Sequence, residues 1–107
     1  ELNLLQFELE IENRLKKQQI YQLFLDWAIT SNVDGIIVGA TYPKIISYCK
    51  KSIHGKLSIF SPGVGTQGGS ASKAKKLGSD YLIIGRTILN SKHPVQTAKD
   101  LVVDTLI

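Results

Sequence analysis

Glycine is concentrated in one short segment of this chain, and no other segment is so hard to explain by packing alone. Four of the nine glycines lie within residues 61–69, directly after the largely apolar residues 57–60. Glycine permits positive φ angles and close backbone approach, so this density at the end of a predicted strand indicates backbone N–H groups turned toward a ligand. An anion suits such groups. A mobile surface loop is the alternative for a glycine-rich stretch taken alone.

A second ligand-binding signal follows further along the chain. The apolar residues 81–84 lead into Gly85 and Arg86, and the only other arginine is Arg14. A strand end, a glycine for close approach and a planar guanidinium with several donors together predict the second half of a phosphate grip.

Apolar runs predict three buried strands. Residues 36–38 are a continuous β-branched run, and residues 57–61 and 81–85 give two further strands. This composition is typical of parallel strands that are covered on both faces. Helical segments with short connections separate the runs, which favours right-handed parallel crossovers. In α/β barrels the ligand lies at the carboxyl ends of the strands, and the loops after the last two strands commonly hold phosphate.

Local signals place the ends of the intervening helices. They are Pro43 and Pro94 as helix starts, Ser70 or Ser72 as a cap, and His54-Gly55 and Gly78 as helix ends. On the last helix, the apolar spacing predicts an inner side made of Val95, Ala98, Leu101, Val102 and Leu106.

The first 32 residues follow no single pattern. Residues 7–12 alternate between apolar and acidic side chains, which predicts a half-exposed strand, but the leucines of residues 2–9 also fit helical spacing, so both structures stay open. From Asn13 an apolar stripe predicts a helix that ends at Ser31-Asn32, with Trp27 as a core anchor against a sheet.

Several of these segments resemble one family. Residues 62–69 followed by residues 83–88 resemble the phosphate-binding end of orotidine 5′-phosphate decarboxylase. Residues 33–41 are similar to the sixth strand of the same barrel, and His93-Pro94 resembles the start of its last helix.

The resemblance implies an α/β fold, a partial TIM-type (β/α)8 barrel with roughly the last three or four βα units and parallel strands. A complete barrel needs roughly 200 residues or more, so 107 residues hold only part of one. We expect residues 1–107 to form a single domain, with residues 1–32 as a divergent N-terminal segment and helix and residues 33–107 as three βα units with phosphate-binding loops.

The family's activity is the expected function of the complete protein. It is a carboxy-lyase of pyrimidine biosynthesis that converts orotidine 5′-phosphate to uridine 5′-phosphate and carbon dioxide, and the resemblance implies no metal or organic cofactor. By the resemblance, Gln67, Gly85 and Arg86 hold the 5′-phosphate, and residues 62–64 lie along the pyrimidine. The expected substrate-binding residues are Pro62, Gly63, Val64, Gly65, Thr66, Gln67, Gly68, Gly69, Gly85 and Arg86.

The chain departs from the family pattern at the reacting groups. The family's Asp-x-Lys-x-x-Asp pattern does not occur in these 107 residues, and the lysines of residues 73–76 lie on a predicted helix without matching aspartates. No catalytic residue is assigned, and the chain alone is expected to be inactive. Two alternatives stay open: a non-catalytic half-barrel that binds a nucleotide phosphate, and a related phosphosugar decarboxylase.

Composition narrows the other expectations. The net charge is +4, but the lysines are scattered along predicted helices without interleaved aromatic residues, so nucleic acid is not an expected partner. No apolar run approaches the roughly 20 residues that span a bilayer, so no membrane partner is expected. Cys49 is the only cysteine, which favours a reducing, cytoplasmic location and a structural thiol. His54 is expected in an exposed turn.

A half-barrel is expected to self-associate, with a homodimer as the commonest solution. Cutting a barrel exposes two strand edges and its apolar interior. Several of four strand residues are expected to face that interior: Val38, Ile59, Phe60 and Ile84.

Overall fold

The computed structural model describes residues 3–16 and 18–106. These residues form six α-helices and three β-strands. In chain order the elements are α1 (Leu4–Leu15), α2 (Ile20–Thr30), β1 (Gly35–Ile37), α3 (Pro43–Ile53), β2 (Ser58–Pro62), α4 (Ala71–Leu77), β3 (Tyr81–Ile83), α5 (Arg86–Leu89) and α6 (Pro94–Asp104). The chain divides after Asn32 into two compact units, and all three strands belong to the second.

The first unit contains α1 and α2, so the helical alternative for residues 7–12 is correct and the strand alternative is wrong. A reciprocal cap starts α1: the Gln6 N–H donates to Asn3 Oδ1 at 2.8 Å, and the Asn3 N–H donates to Gln6 Oε1 at 3.1 Å. Such a capping box satisfies two N–H groups that a helix start leaves free. Leu2, which contributed to the helical spacing, lies outside the described residues.

The helix predicted from Asn13 is interrupted, because α1 ends at Leu15 and α2 starts at Ile20. It ends as predicted, with Ser31 as the C-cap of α2. The prediction of Trp27 as a core anchor is wrong, since Trp27 is 36% exposed. Its ring instead lies 6.1 Å from that of Phe7 and 5.6 Å from that of Phe24, which also lie on the two helices.

The second unit is built on a parallel sheet with the strand order β1-β2-β3, as the sequence predicted. In its register Ile37 pairs with Phe60, and Phe60 pairs with Tyr81. The N–H groups of Val38 and Ala40 continue the ladder beyond β1, donating to the carbonyls of Phe60 (2.9 Å) and Pro62 (2.7 Å). The carboxyl ends of β1 and β2 are therefore fixed against each other.

One face of this sheet is covered by helices. The buried core combines residues of the strand ends, α3, α4 and the loop between β2 and α4. Its members are Ala40, Ile46, Val64, Ala71 and Ala74, with Val38, Leu77, Leu82, Ile84 and Leu101 packed against them. Ile59, in the middle of β2, is fully buried.

The opposite face, which we call the open face, carries Ile37, Phe60, Tyr81 and Ile83. Ile37 is 71% exposed, Tyr81 56% and Ile83 48%, while the rings of Phe60 and Tyr81 stack with centroids 4.9 Å apart. The four residues share this face because paired residues of neighbouring strands, and alternate residues within a strand, point to the same side.

The prediction that several of four strand residues face this side is wrong, because only Phe60 does. Val38, Ile59 and Ile84 lie on the helix-covered side, because a shift of one residue along a strand exchanges the two faces. The predicted inner side of α6 is also only partly covered: Ala98 and Leu101 are half-buried, whereas the other three positions are exposed. Those three are Val95, Val102 and Leu106.

The predicted helix boundaries of this unit are confirmed. Pro43 and Pro94 are the first residues of α3 and α6, and His54 ends α3 in the left-handed conformation with a φ of 49°. Ser70 is the cap of α4, its hydroxyl accepting from the Lys73 N–H at 3.2 Å, and Gly78 ends that helix. Within residues 3–16 and 18–106, no helix combines the length and apolar character required to cross a membrane.

Candidate functional site

The glycine segment forms a loop that is closed by its own hydrogen bonds at the carboxyl end of β2. The Gly65 N–H donates to the Gly69 carbonyl at 3.0 Å, and the Gly69 N–H donates back to the Gly63 carbonyl at 2.9 Å. Within the loop the Gly68 N–H donates to the Gly65 carbonyl at 2.8 Å. Residues 63, 65 and 68 have φ angles of 91°, 81° and 93°, which favour glycine.

These hydrogen bonds form a parallel bridge between Val64 and Gly69, and the contacts of both residues hold the loop against the core. Val64 is buried in the core, so its side chain points away from the loop surface. At position 69 even a Cβ would not fit, since it would lie 2.5 Å from the Gly63 carbonyl oxygen and 2.7 Å from Ala40 Cβ. The loop therefore packs its backbone directly on the end of β1.

The closed loop corrects part of the sequence prediction. We expected the loop's N–H groups to be turned toward a ligand, but those of Gly65, Gly68 and Gly69 donate within the loop. The Thr66 N–H donates to a side chain, Thr87 Oγ1, at 3.1 Å. In this loop the glycines serve to bend the backbone, and a ligand would meet other donors.

Gln67 is such a donor, and it lies at the exposed tip of the loop. Its side chain folds toward Gly63: a Cβ added there would lie 3.0 Å from Gln67 Oε1. The amide of Gln67 therefore lies over the point where the chain leaves β2.

The Gly85-Arg86 turn lies at the end of β3. Gly85 caps α5, and its carbonyl accepts from the N–H groups of Ile88 (3.0 Å) and Leu89 (2.9 Å). Gly85 and Arg86 are both exposed. Among the described residues, no carboxylate forms an ion pair with Arg86, so its guanidinium is available to an anion.

Thr87 joins the turn to the glycine loop. Its hydroxyl donates to the Val64 carbonyl at 3.1 Å and accepts from the Thr66 N–H at 3.1 Å. The two halves of the predicted phosphate grip are thus in direct contact. Sequence reasoning assigned no role to Thr87, although its position directly after Gly85-Arg86, with a hydroxyl that both donates and accepts, is a usable signal.

Three other titratable groups that the sequence singled out, Lys75, Cys49 and His54, lie on α4, on α3 and at the end of α3, outside the loop and the turn. Lys75 Nζ donates to the Asp80 carbonyl at 3.0 Å, at the amino end of β3 and therefore opposite to the glycine loop. Burial raises the pKa of the Cys49 thiol, which suits a structural role, and His54 is exposed in its turn as predicted. In the part of the chain that the structure describes, no three His, Cys, Asp or Glu side chains are grouped so that they could hold a metal ion.

The arrangement of strand ends, loop and turn agrees with comparisons to known proteins. The model of the orotidine 5′-phosphate decarboxylase / HUMPS family matches residues 3–101. The chain belongs to this family. The family resemblance predicted from residues 33–106 is therefore confirmed, and the match extends over the N-terminal helices as well.

Curated relatives share the sequence over part of their length. The orotidine 5′-phosphate decarboxylase of Methanococcoides burtonii is 42% identical over 74 residues, which are 69% of this chain and 34% of the relative. That of Thermococcus kodakarensis is 45% identical over 67 residues, which are 63% of this chain and 32% of the relative. The chain thus spans about one third of the length of these relatives.

Solved structures show the same fold. Orotidine 5′-monophosphate decarboxylase from Sulfolobus solfataricus superposes with a TM-score of 0.73 at 31% identity, covering 84% of this chain and 44% of that one. The enzyme from Methanocaldococcus jannaschii, solved in complex with the inhibitor BMP, gives a TM-score of 0.68 at 29% identity, covering 76% and 38%. The predicted partial α/β barrel with parallel strands is confirmed, with three βα units.

Proposed function

We propose that this chain supplies the phosphate-binding part of an orotidine 5′-phosphate decarboxylase. The complete enzyme is a carboxy-lyase of pyrimidine biosynthesis that converts orotidine 5′-phosphate to uridine 5′-phosphate and carbon dioxide. One observation carries the proposal: the Thr87 hydroxyl binds the glycine loop and the arginine turn to each other at neighbouring strand ends, in a chain of this family. Phosphate sites in α/β barrels commonly lie at these ends.

In the proposed site, Gln67, Gly85 and Arg86 bind the 5′-phosphate. Gln67 and Arg86 are exposed. The N–H groups of three loop glycines, Gly65, Gly68 and Gly69, instead donate to carbonyls within the loop. Arg86 supplies the positive charge, since a guanidinium can donate two parallel hydrogen bonds to a phosphate. The other loop residues shape the site.

The pyrimidine is proposed to lie along residues 62–64. Pro62 is half-buried and follows Phe60 on the open side of β2, so its ring can contact a flat base. Val64 takes part only through its backbone, because its side chain is in the core.

The proposed chemistry divides between binding and reaction. Binding a phosphate remote from the reacting carbon stabilises the transition state when that binding energy is used to hold the reacting part of the substrate. The charged groups that react are proposed to come from outside these 107 residues, because the family's Asp-x-Lys-x-x-Asp pattern is missing from them. No cofactor is proposed.

Decarboxylation is measured with the purified 107-residue chain, free of host enzyme, alone and mixed with a chain that bears the missing Asp-x-Lys-x-x-Asp half of the barrel. We expect no turnover by the chain alone and turnover in the mixture. Turnover by the chain alone contradicts the proposal. Binding of uridine 5′-phosphate without turnover in the mixture favours the second candidate, a non-catalytic nucleotide-binding half-barrel, for which the missing pattern argues.

A further part of the proposal is that the chain forms a homodimer through the open face. Three large apolar side chains of this face are between 48% and 71% exposed, and the outer edges of β1 and β3 have no strand partner among the described residues. Unpaired edges and an uncovered apolar face both favour association. A second copy can cover the face and one edge at once.

A cytoplasmic location is also proposed, supported by a single, buried cysteine.

A further inference from the structure

We propose that Thr87 is a positioning residue that couples the two halves of the phosphate site, so that Gln67 and Arg86 act on the phosphate as one unit. This inference rests on the proposed function and assigns a residue to which the resemblance gave no role.

The first argument is the position of the hydrogen bonds in the chain. Thr87 directly follows Arg86, and its hydroxyl accepts from the N–H of Thr66, which directly precedes Gln67. Each phosphate donor is therefore one residue away from the same hydrogen bond. A shift of the loop relative to the turn would break this bond before it moved either donor far.

The second argument is that the hydroxyl is already committed. Its single proton goes to the Val64 carbonyl at 3.1 Å, so it has no proton to donate to a phosphate. Val64 is itself buried and bridged to Gly69, which ties the threonine to the buried, hydrogen-bonded base of the loop. Thr87 thus acts through its neighbours and does not contact the substrate.

The third argument is steric fit. Gly65 approaches the Thr87 side chain so closely that an added Cβ would overlap Thr87 Oγ1 and lie 2.9 Å from its Cγ2. The missing side chain at position 65 is matched to the side chain at position 87, whose hydroxyl oxygen makes the nearest approach. The contact resists movement of the loop toward the turn, and the hydrogen bonds resist movement away from it.

The test uses Thr87→Val, which keeps the shape of the side chain and removes the hydroxyl, with Thr87→Ser as the variant that keeps the hydroxyl. Dissociation constants of uridine 5′-phosphate are measured by calorimetry after circular dichroism has shown that each variant is folded. Thr87→Val removes the hydroxyl and both of its hydrogen bonds, which should weaken binding about threefold to tenfold. Thr87→Ser should stay within about twofold of the wild type.

A mutant cycle separates coupling from a general loss of stability. In the wild-type background, each single variant, Gln67→Ala and Arg86→Ala, weakens binding by some factor. The double variant should weaken binding less than the product of these two factors, and the difference should be about threefold or more. In the Thr87→Val background the losses should multiply. Wild-type affinity in Thr87→Val, or the same cycle in both backgrounds, overturns the inference.

Other outcomes contradict the proposed function and not the role of Thr87. They are a wild type that does not bind uridine 5′-phosphate, and an Arg86→Ala variant that binds it as tightly as the wild type. Hydrogen exchange of the Thr66 amide gives a second readout that needs no ligand. It should be faster in Thr87→Val and in Thr87→Ala, and unchanged in Thr87→Ser. Equal exchange in the wild type and both hydroxyl-free variants overturns the inference on its own.

Discussion

Replacement of Gly65 by alanine tests the contact between the glycine loop and the arginine turn. Gly65 has a φ of 81°, and a methyl group there would meet the Thr87 side chain, with Cγ2 at 2.9 Å and Cβ at 3.1 Å. The left-handed backbone costs an alanine about 1–2 kcal/mol. Displacing Thr87 adds an overpacking term of about 1–3 kcal/mol. We therefore expect Gly65→Ala to lower the free energy of unfolding by about 2–5 kcal/mol.

The chain offers a matched control in the same loop. Gly68 has a φ of 93°, and an added Cβ would meet nothing within 4 Å. Gly68→Ala should therefore lose only the backbone term, about 1–2 kcal/mol. Gly55, in the turn after α3, has a φ of 74° and equally open surroundings, so Gly55→Ala gives the same reference away from the site.

The assay is urea unfolding followed by circular dichroism, with the midpoint and slope fitted for each variant. Since a small domain is stable by roughly 5–15 kcal/mol, these differences are measurable. Gly65→Ala should lose about 1–3 kcal/mol more than Gly68→Ala, and adding Thr87→Ala should recover part of that difference. Equal losses in Gly65→Ala and Gly68→Ala would refute the argument, because the close contact with Thr87 would then be absent.

Two further predictions concern the core and the open face. Cys49 should react slowly with a disulfide reagent at pH 8 in the folded protein and rapidly in urea. Burial shields the thiol and raises its pKa, so less of it is thiolate in the folded protein. Equal rates would contradict its placement in the core. Light scattering over a dilution series should show a dimer. Ile37→Asp should dissociate it, since Ile37 is 71% exposed on the open face. The control Val95→Asp, at a position on α6 that is 67% exposed, should leave the dimer intact. A wild-type monomer at micromolar concentration would contradict the proposed dimer.

The fold was predictable where the signal is local. Pro43, His54 and Ser70 each place a helix boundary through their own backbone or side-chain chemistry, and the structure has all three where the sequence predicted them. The apolar runs likewise predicted three parallel strands, and these are present. The covering of both faces that such runs indicate is present on one face only, since Ile37, Tyr81 and Ile83 are exposed on the open face.

The same apolar runs conceal which residues face which side. A strand without alternation does not show which of its residues face which side, so the sequence predicted only that several of four residues (Val38, Ile59, Phe60 and Ile84) face the interior. In the structure Phe60 shares the open face with Ile37, and the other three lie on the opposite side. The prediction for Trp27 was wrong for a related reason. Helical spacing predicts that a stripe of a helix is buried, but it does not show what the stripe packs against. The Trp27 ring lies against those of Phe7 and Phe24 in a cluster that remains partly exposed.

The candidate site was predictable as a location and less so in its details. Glycine density marked the loop, and Gly85 with Arg86 marked the turn. The direction of the loop's N–H groups depends on hydrogen bonds between residues that are close only in the folded loop, such as Gly65 with Gly69. The contact of Thr87 with Val64 joins segments from two different strand ends, which no local pattern describes.

The central claim is that the glycine loop and the arginine turn form a site for the phosphate of a nucleotide. It is tested most directly by calorimetric titration of the chain with uridine 5′-phosphate, comparing Arg86→Ala with Lys56→Ala. Each variant removes one positive charge, but Lys56 is exposed just before β2, at the end of the strand opposite to the loop.

We expect saturable binding of uridine 5′-phosphate. Inorganic phosphate should compete with it, and uridine, which has no phosphate, should not. Arg86→Ala should weaken it by about 1.5–3 kcal/mol, which is about tenfold or more in the dissociation constant, and Lys56→Ala should leave it within about twofold. The same affinity in Arg86→Ala and Lys56→Ala would contradict the claim.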